Sequence, residues 1–126
     1  MEPNTGHVRL FRYVSIDDSG VLANPLLADG QVHGGLAQGI GQALYQAVIY
    51  YDAGGQLLSG SLMDYAVPKA ADLPSFETGH TITPSPRTAL GVKGIGESST
   101  IGSPPPSPTP SWTLSPPLAS SIWIFR

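Results

Sequence analysis

The feature that most constrains this chain is a run of 22 residues, Gly30 to Tyr51, that carries no formal charge. Within it Leu36, Ile40, Ala43, Leu44, Ala47 and Val48 recur at helical spacing, which predicts an amphipathic helix of about four turns over Gly35 to Tyr50. A free-standing domain points lysine and glutamate at water from the outer face of such a helix. Here the polar positions are Gln31, Gln38, Gln42 and Gln46, and the start is crowded with glycine. Such a helix suits a setting in which protein covers both faces, so the chain reads as written for a larger body. The same glutamines interrupt the run too often for an integral membrane segment.

Charge is scarce throughout, with six basic and nine acidic side chains in 126 residues and a net charge of −3. No basic field draws the chain to nucleic acid. With no cysteine, disulfides, iron–sulfur ligation and thiol catalysis by these residues are excluded. Met-Glu-Pro-Asn at the start has neither the basic opening nor the apolar core of a signal peptide, so a cytoplasmic chain is expected.

Around the helix, His7 to Ile16 carries β-branched and aromatic residues and predicts a strand, closed by Asp17-Asp18-Ser19-Gly20 as a turn. Ala53-Gly54-Gly55 turns the chain into a second expected strand, Gln56 to Leu62. Beyond it, Pro68, Pro74, Pro84 and Pro86 divide the chain into loop and short extended pieces. The expected fold class is α+β, mixed strands packed with one main helix and an irregular proline-rich tail. Composition changes near Ser103: seven of 13 prolines lie between Pro104 and Pro117, and Arg126 is the one charge after Glu97. Residues 1–105 therefore form the expected body and 106–126 a proline- and serine-rich tail, expected to be disordered. With 15 glycines and 13 prolines, independent folding is doubtful.

Chemistry is densest at Gly91-Val92-Lys93-Gly94-Ile95-Gly96-Glu97-Ser98-Ser99-Thr100. Glycines at every second or third position let backbone amides approach a ligand and cradle an anion. The lysine is misplaced for a Walker A loop, and the third glycine of a dinucleotide fingerprint is missing. A plain turn with a solvated glutamate is the other reading. The second candidate is Gly30-Gln31-Val32-His33-Gly34-Gly35-Leu36-Ala37-Gln38-Gly39-Ile40-Gly41-Gln42, either a ligand-binding helix start or tight helix packing. His7, His33 and His80 lie too far apart for metal-ligand spacing, and no metal ligand is assigned. Ser98 is not in a nucleophile elbow. Asp17-Asp18 reads as a turn bonded to its own backbone, and Asp64-Tyr65 as either a packing anchor or a loop facing a site.

Taken in order, RYVSIDDSGVLANPLLADGQVHGGLAQGIGQALYQ, GQLLSGSLMDYAVPKAADLP and TPSPRTALGVKGIGESSTIGSPP closely resemble the large, molybdopterin-binding subunit of the molybdenum hydroxylases. These are aerobic carbon monoxide dehydrogenase, aldehyde oxidase and xanthine dehydrogenase. The resemblance covers residues 5 to 105, is strongest to the carbon monoxide dehydrogenase-like branch, and implies the C-terminal part of a much longer subunit. It implies an oxidoreductase that oxidises carbon monoxide, an aldehyde or an N-heterocycle, using a molybdenum-bound hydroxide with Glu97 as general base. The cofactor implied is molybdenum–molybdopterin cytosine dinucleotide, with Lys93, Gly94 and Gly96 shaping the loop around it. Gln31 would lie near the metal or the pterin, and Gln38, Gly39 and Gly41 near the pterin or its dinucleotide. A flavin subunit and a two-cluster iron–sulfur subunit are the implied partners, in a dimer of heterotrimers. Turnover is not expected from this chain alone, and the substrate-selecting loop lies upstream in the family. Ser19 stands where cysteine is frequent. Ser99 stands where glycine is expected, which would strain the loop if that position takes positive φ.

After Gly-Ser-Pro-Pro the family text resembles AIANAVVDALAPLG and then LDIP, whereas this chain reads PSPTPSWTLSPPLASSIWIFR. Read in the neighbouring frame from the third base of Pro105, Trp112-Thr113 must give GAC and Trp123-Ile124 must give GAT. Both encode aspartate and fall on the two aspartates of the expected text. Residues 106–126 are therefore expected to be a frameshift product. The alternative is a non-catalytic interaction protein whose tail, with Pro105-x-x-Pro108, docks a partner as a polyproline ligand.

Overall fold

The computed structural model describes residues 4–5 and 7–103; the proline-rich tail, 106–126, lies outside the described residues. Two strands, β1 (Tyr13–Asp18) and β2 (Phe76–Thr81), pair in parallel, in register from Tyr13 opposite Phe76 to Asp18 opposite Thr81. A parallel pair needs a crossover, and its main element is the helix α1 (Pro25–Leu44). A short 3-10 turn at Ala70–Asp72 precedes β2, and a five-residue helix, α2 (Ser98–Gly102), follows the glycine loop. The α+β class and the single main helix stand as expected.

The boundaries differ, for identifiable reasons. α1 begins ten residues before the expected start: Asn24 caps it by accepting from the Leu27 amide at 3.2 Å, and Pro25 enters the first turn with φ already set. The glycines at 30, 34 and 35, read as a helix start, lie inside it. Each costs about 1 kcal/mol against alanine, but packing and the cap carry the helix through them. It ends at Leu44 rather than Tyr50, and Val48 to Tyr51 run into a turn closed by the Tyr51 amide on the Gln56 carbonyl at 2.8 Å. Gln56 to Leu62 is not a strand; one bridge, Tyr50 to Leu57, is all that forms. The strand expected over His7 to Ile16 is Tyr13–Asp18, because β2 offers partners only there. Asp17 and Asp18, expected to turn, instead pair with His80 and Thr81.

The inward face of α1 presents Ala28, Val32, Leu36 and Ile40, one residue per turn, as the pattern around Leu36 and Ile40 anticipates. Val32, Leu36, Ile40 and Tyr13 form the core, with Leu10, Tyr45, Leu73, Phe76 and Ile95 against it. Tyr13 meets Phe76 edge to face at 6.0 Å. Among the described residues five hydrophobic side chains are buried while 17 large ones are exposed, Met63 at 93% and Leu62 at 83% among them. That imbalance is the structural counterpart of the uncharged helix: these surfaces are written for cover. No helix among the described residues is long and apolar enough to cross a membrane.

Candidate functional site

The site grows from the end of β1. Tyr13, Ser15 and Asp17 alternate inward and are buried. Asp17 accepts hydrogen bonds from the hydroxyls of Ser15 at 2.8 Å, Ser98 at 2.9 Å and Ser99 at 3.1 Å. Asp18 accepts from the Gly20 amide at 2.9 Å, the Thr83 amide at 3.2 Å and Lys93 Nζ at 3.2 Å. Bonds from Thr83 and from the Gly20 amide, with Lys93 adding, hold the Asp18 carboxyl below the usual carboxylate range. The Lys93 amide donates to the Ser19 carbonyl at 2.8 Å, and the Val21 amide to the Gly91 carbonyl at 3.1 Å. This approach requires glycine at position 20, where φ is +65° and a Cβ would overlap the Gly91 carbonyl oxygen. Gly91 to Ser99 is thus pinned near its start to Asp18, Ser19 and Val21 and at its end to Asp17. The reading of Asp17-Asp18 as bonded to its own backbone holds in one bond, from the Gly20 amide to Asp18, and misses the long-range ones; the period-two alternation of Tyr13, Ser15 and Asp17 is the signal that carries those.

Between the pins, Ile95 packs against the core while Gly94, Gly96 and Glu97 are exposed. Glu97 heads α2 and is exposed; its carbonyl accepts from the Ile101 amide at 3.0 Å, while its side chain makes no capping bond and has no hydrogen-bond or ion-pair partner among the described residues. A Cβ at Gly94 or Gly96 would meet nothing within 4 Å, and neither residue has positive φ. Neither backbone conformation nor packing within the described residues calls for glycine there. The open space over both glycines is compatible with a bulky planar group lying against the loop backbone. Ser99 is buried with no positive φ, so the strain expected of serine at that position is absent. Its hydroxyl instead joins the Asp17 cluster.

The glutamine–glycine motif divides. Gln31 is exposed and lines a groove of about 240 Å³ with Ser19, Val21, Leu27, Val92, Lys93 and Ile95. The groove thus brings Gln31 and Lys93 together, and it contains the buried Ser19 Oγ, which has no hydrogen-bond partner among the described residues. Gln38 lies two turns further along α1 and is exposed. Gly39 and Gly41 are buried against the chain itself: a Cβ at Gly39 would overlap Ser103 and stand 2.9 Å from the Thr100 carbonyl oxygen, and one at Gly41 would stand 2.9 Å from the Pro68 ring. Gly35 brings α2 equally close, 3.0 Å from the Thr100 amide nitrogen. The packing reading accounts for these three glycines.

The remaining candidates have local partners. His80 Nε2 lies 3.0 Å from Asp29, which also accepts from Thr78 at 3.2 Å, and the His80 bond holds Asp29 below its ordinary range. His33 stands edge-on to Phe76 at 5.5 Å. Tyr65 donates to Gln46 at 2.9 Å, so the Asp64-Tyr65 segment anchors the end of α1. Burial raises the Tyr13 phenol, Ser103 opposes that shift and the Asp17 charge adds to it.

Comparison with known proteins gives a consistent result. The molybdopterin cofactor-binding domain family matches residues 1–74. The chain is similar to the carbon monoxide dehydrogenase large chain of Hydrogenophaga pseudoflava, 45% identical over 101 residues that cover 80% of this chain and 12% of that one. The nicotine 6-hydroxylase large subunit of Paenarthrobacter nicotinovorans is 43% identical over 104 residues, 82% of this chain and 13% of that one. Quinoline 2-oxidoreductase from Pseudomonas putida 86 superposes with a TM-score of 0.73 at 44% identity, over 76% of this chain and 12% of its own. The chain therefore spans about an eighth of the length of these relatives.

Proposed function

Since the chain belongs to the molybdopterin cofactor-binding family, we propose that its body, 1–105, is a C-terminal piece of a molybdenum hydroxylase large subunit in which Glu97 is the general base. The observation that carries this is the free Glu97 carboxylate on a loop pinned at both ends, with open space over both flanking glycines. A base must be held firmly yet keep its own oxygens unclaimed, and the loop meets both conditions.

When bound, the molybdenum cofactor supplies a two-electron acceptor and a Lewis acid. The chain's residues do the rest. Glu97 takes up a proton at a carboxylate oxygen during turnover and returns it to solvent afterwards. Gly94 and Gly96 let the loop backbone lie against the cofactor, and Lys93 fixes the approach through Asp18. Gln31, able to donate and accept and lining one groove with Lys93, would hold the metal or pterin end of the cofactor, and Gln38, exposed on α1, would hold the pterin or its dinucleotide. Gly39 and Gly41 let α2 and the Pro68 segment close on the helix, and through that packing they would support the pterin or its dinucleotide. The cofactor in this reading is the cytosine dinucleotide form, and the substrate is carbon monoxide, an aldehyde or an N-heterocycle. Electrons leave to an iron–sulfur subunit and a flavin subunit in a dimer of heterotrimers; no cysteine of this chain is available to hold a cluster.

The test is Glu97→Gln in the intact subunit. The amide keeps the size and loses the basicity, so molybdenum and pterin content should stay unchanged while turnover falls about 10²- to 10⁴-fold. Full turnover with a full cofactor complement would overturn the assignment.

A further inference from the structure

We infer that Asp17 is the positioning residue for the Glu97 carboxylate, acting through the hydroxyls of Ser98 and Ser99. The inference rests on the reading of Glu97 as base. Asp17 is 8% exposed and has no cationic partner among the described residues. A carboxylate in such a place is costly unless hydrogen bonds replace its water. Three hydroxyls do so: Ser15 on one oxygen, Ser98 and Ser99 together on the other. Ser15 comes from the same strand and could satisfy the group locally. The other two come from 81 and 82 residues away, and they are the two residues that directly follow Glu97.

Two consecutive side chains converging on one oxygen fix the direction of the backbone between them, and so the direction in which the preceding residue leaves. The back of this unit is fixed as well. Ser103 Oγ donates to the Ser99 carbonyl, and the Ser99 Cβ sits 3.1 Å from where a Cβ on Gly35 would stand. Ser98 is held once more through Ile95, its amide donating to that carbonyl at 3.3 Å, while its single hydroxyl proton is shared between Asp17 at 2.9 Å and the same carbonyl at 3.2 Å. At 97 only the backbone is held, its carbonyl accepting from the Ile101 amide at 3.0 Å, and Glu97 spends none of its own side chain on the arrangement. A purely structural contact at this point could be met by an apolar strand residue on an apolar helix. A buried carboxylate that selects hydroxyls at 98 and 99 does something an apolar pair cannot: it sets the azimuth of the loop by directional bonds.

The experiment uses the intact, cofactor-loaded subunit with Asp17→Asn, and in parallel Ser98→Ala, which removes one donor and leaves the buried charge with two. Two quantities are read: hydrogen exchange of the amides of residues 95–99, and kcat separately from KM. Misplacing a reacting group by an ångström costs on the order of 10²-fold. Asp17→Asn should therefore raise exchange at 95–99 at least about tenfold and lower kcat about 10- to 100-fold, with KM within about twofold. Ser98→Ala should move both quantities in the same directions by less. Exchange at 95–99 unchanged in both variants overturns the inference, as does faster exchange with unchanged kcat, which would make Asp17 a fold contact only. If Asp17→Asn fails to assemble, Ser98→Ala alone decides by the same two readings. Glu97→Gln in the same series should leave exchange unchanged. Should it retain turnover, the base assignment fails, while the exchange data still report whether Asp17 holds the loop.

Discussion

Replacing Gly34 and Gly39 by alanine, one at a time, separates what α1 needs for itself from what it needs for its neighbours. Both positions lie in the helix interior, so both alanines gain about 1 kcal/mol of helix propensity. At Gly34 the new methyl meets nothing within 4 Å, and that gain stands. At Gly39 the methyl overlaps Ser103 and stands 2.9 Å from both the Ser103 hydroxyl and the Thr100 carbonyl oxygen. α2 must back away or the helix must shift, at an overpacking cost of about 1–3 kcal/mol. Because the propensity gain is common to both, it cancels between them. Gly34→Ala should exceed Gly39→Ala in stability by about 1–3 kcal/mol, roughly 5- to 150-fold in the folding equilibrium. Urea unfolding of the 126-residue chain followed by far-ultraviolet circular dichroism measures the difference directly. Equal midpoints with equal slopes would show that α2 does not rest on Gly39, and the close-packing account of the helix glycines would fall with it.

Three further outcomes can be checked independently. Leu36, 1% exposed at the centre of the core, should cost about 2–5 kcal/mol on replacement by alanine, read in the same unfolding experiment; a loss below about 1 kcal/mol would mean that the core lies elsewhere. The Asp18 carboxyl is held below its ordinary range, so its stabilising bonds are fully present above the unfolded value of about 3.9 and are lost only as pH falls through the lower folded value. Its carboxyl titration, followed by NMR, should therefore have a midpoint below about 3.9, and one at or above that value would contradict the pinning of Lys93. For the tail, the nucleotide sequence around Pro105 should encode AIANAVVDAL in the neighbouring frame; an undamaged frame with no such text in either alternative rejects the frameshift reading.

The parts of this fold that sequence patterning exposes are those where one helix face decides burial. Leu36 and Ile40 are legible from their spacing alone. The true start of α1 becomes legible only when Asn24-Pro25 is weighed above the glycines after it, because a cap and a pre-set φ outweigh propensity. β2 is nearly silent: Phe-Glu-Thr-Gly-His-Thr has little apolar alternation, and it becomes a strand because β1 supplies its partners. In the site, Glu97 stands out by its setting among glycines, whereas Asp17 and Asp18 look like an ordinary turn. Their role depends on groups 65 to 82 residues away, and no local window contains those groups.

That separation has a consequence for synthesis. At about 5–20 residues per second, the hydroxyl of Ser98 leaves the ribosome about 4–16 s after Asp17, given the 81 positions between them. Throughout that interval the aspartate has only Ser15 to stand in for water, and an ionised group so poorly compensated resists burial. The first strand must therefore stay hydrated while the helix after it is already being made, and it settles inward when the last hydroxyls arrive. The Glu97 arm and the bed on which it rests are completed together, once Ser98 and Ser99 have been made.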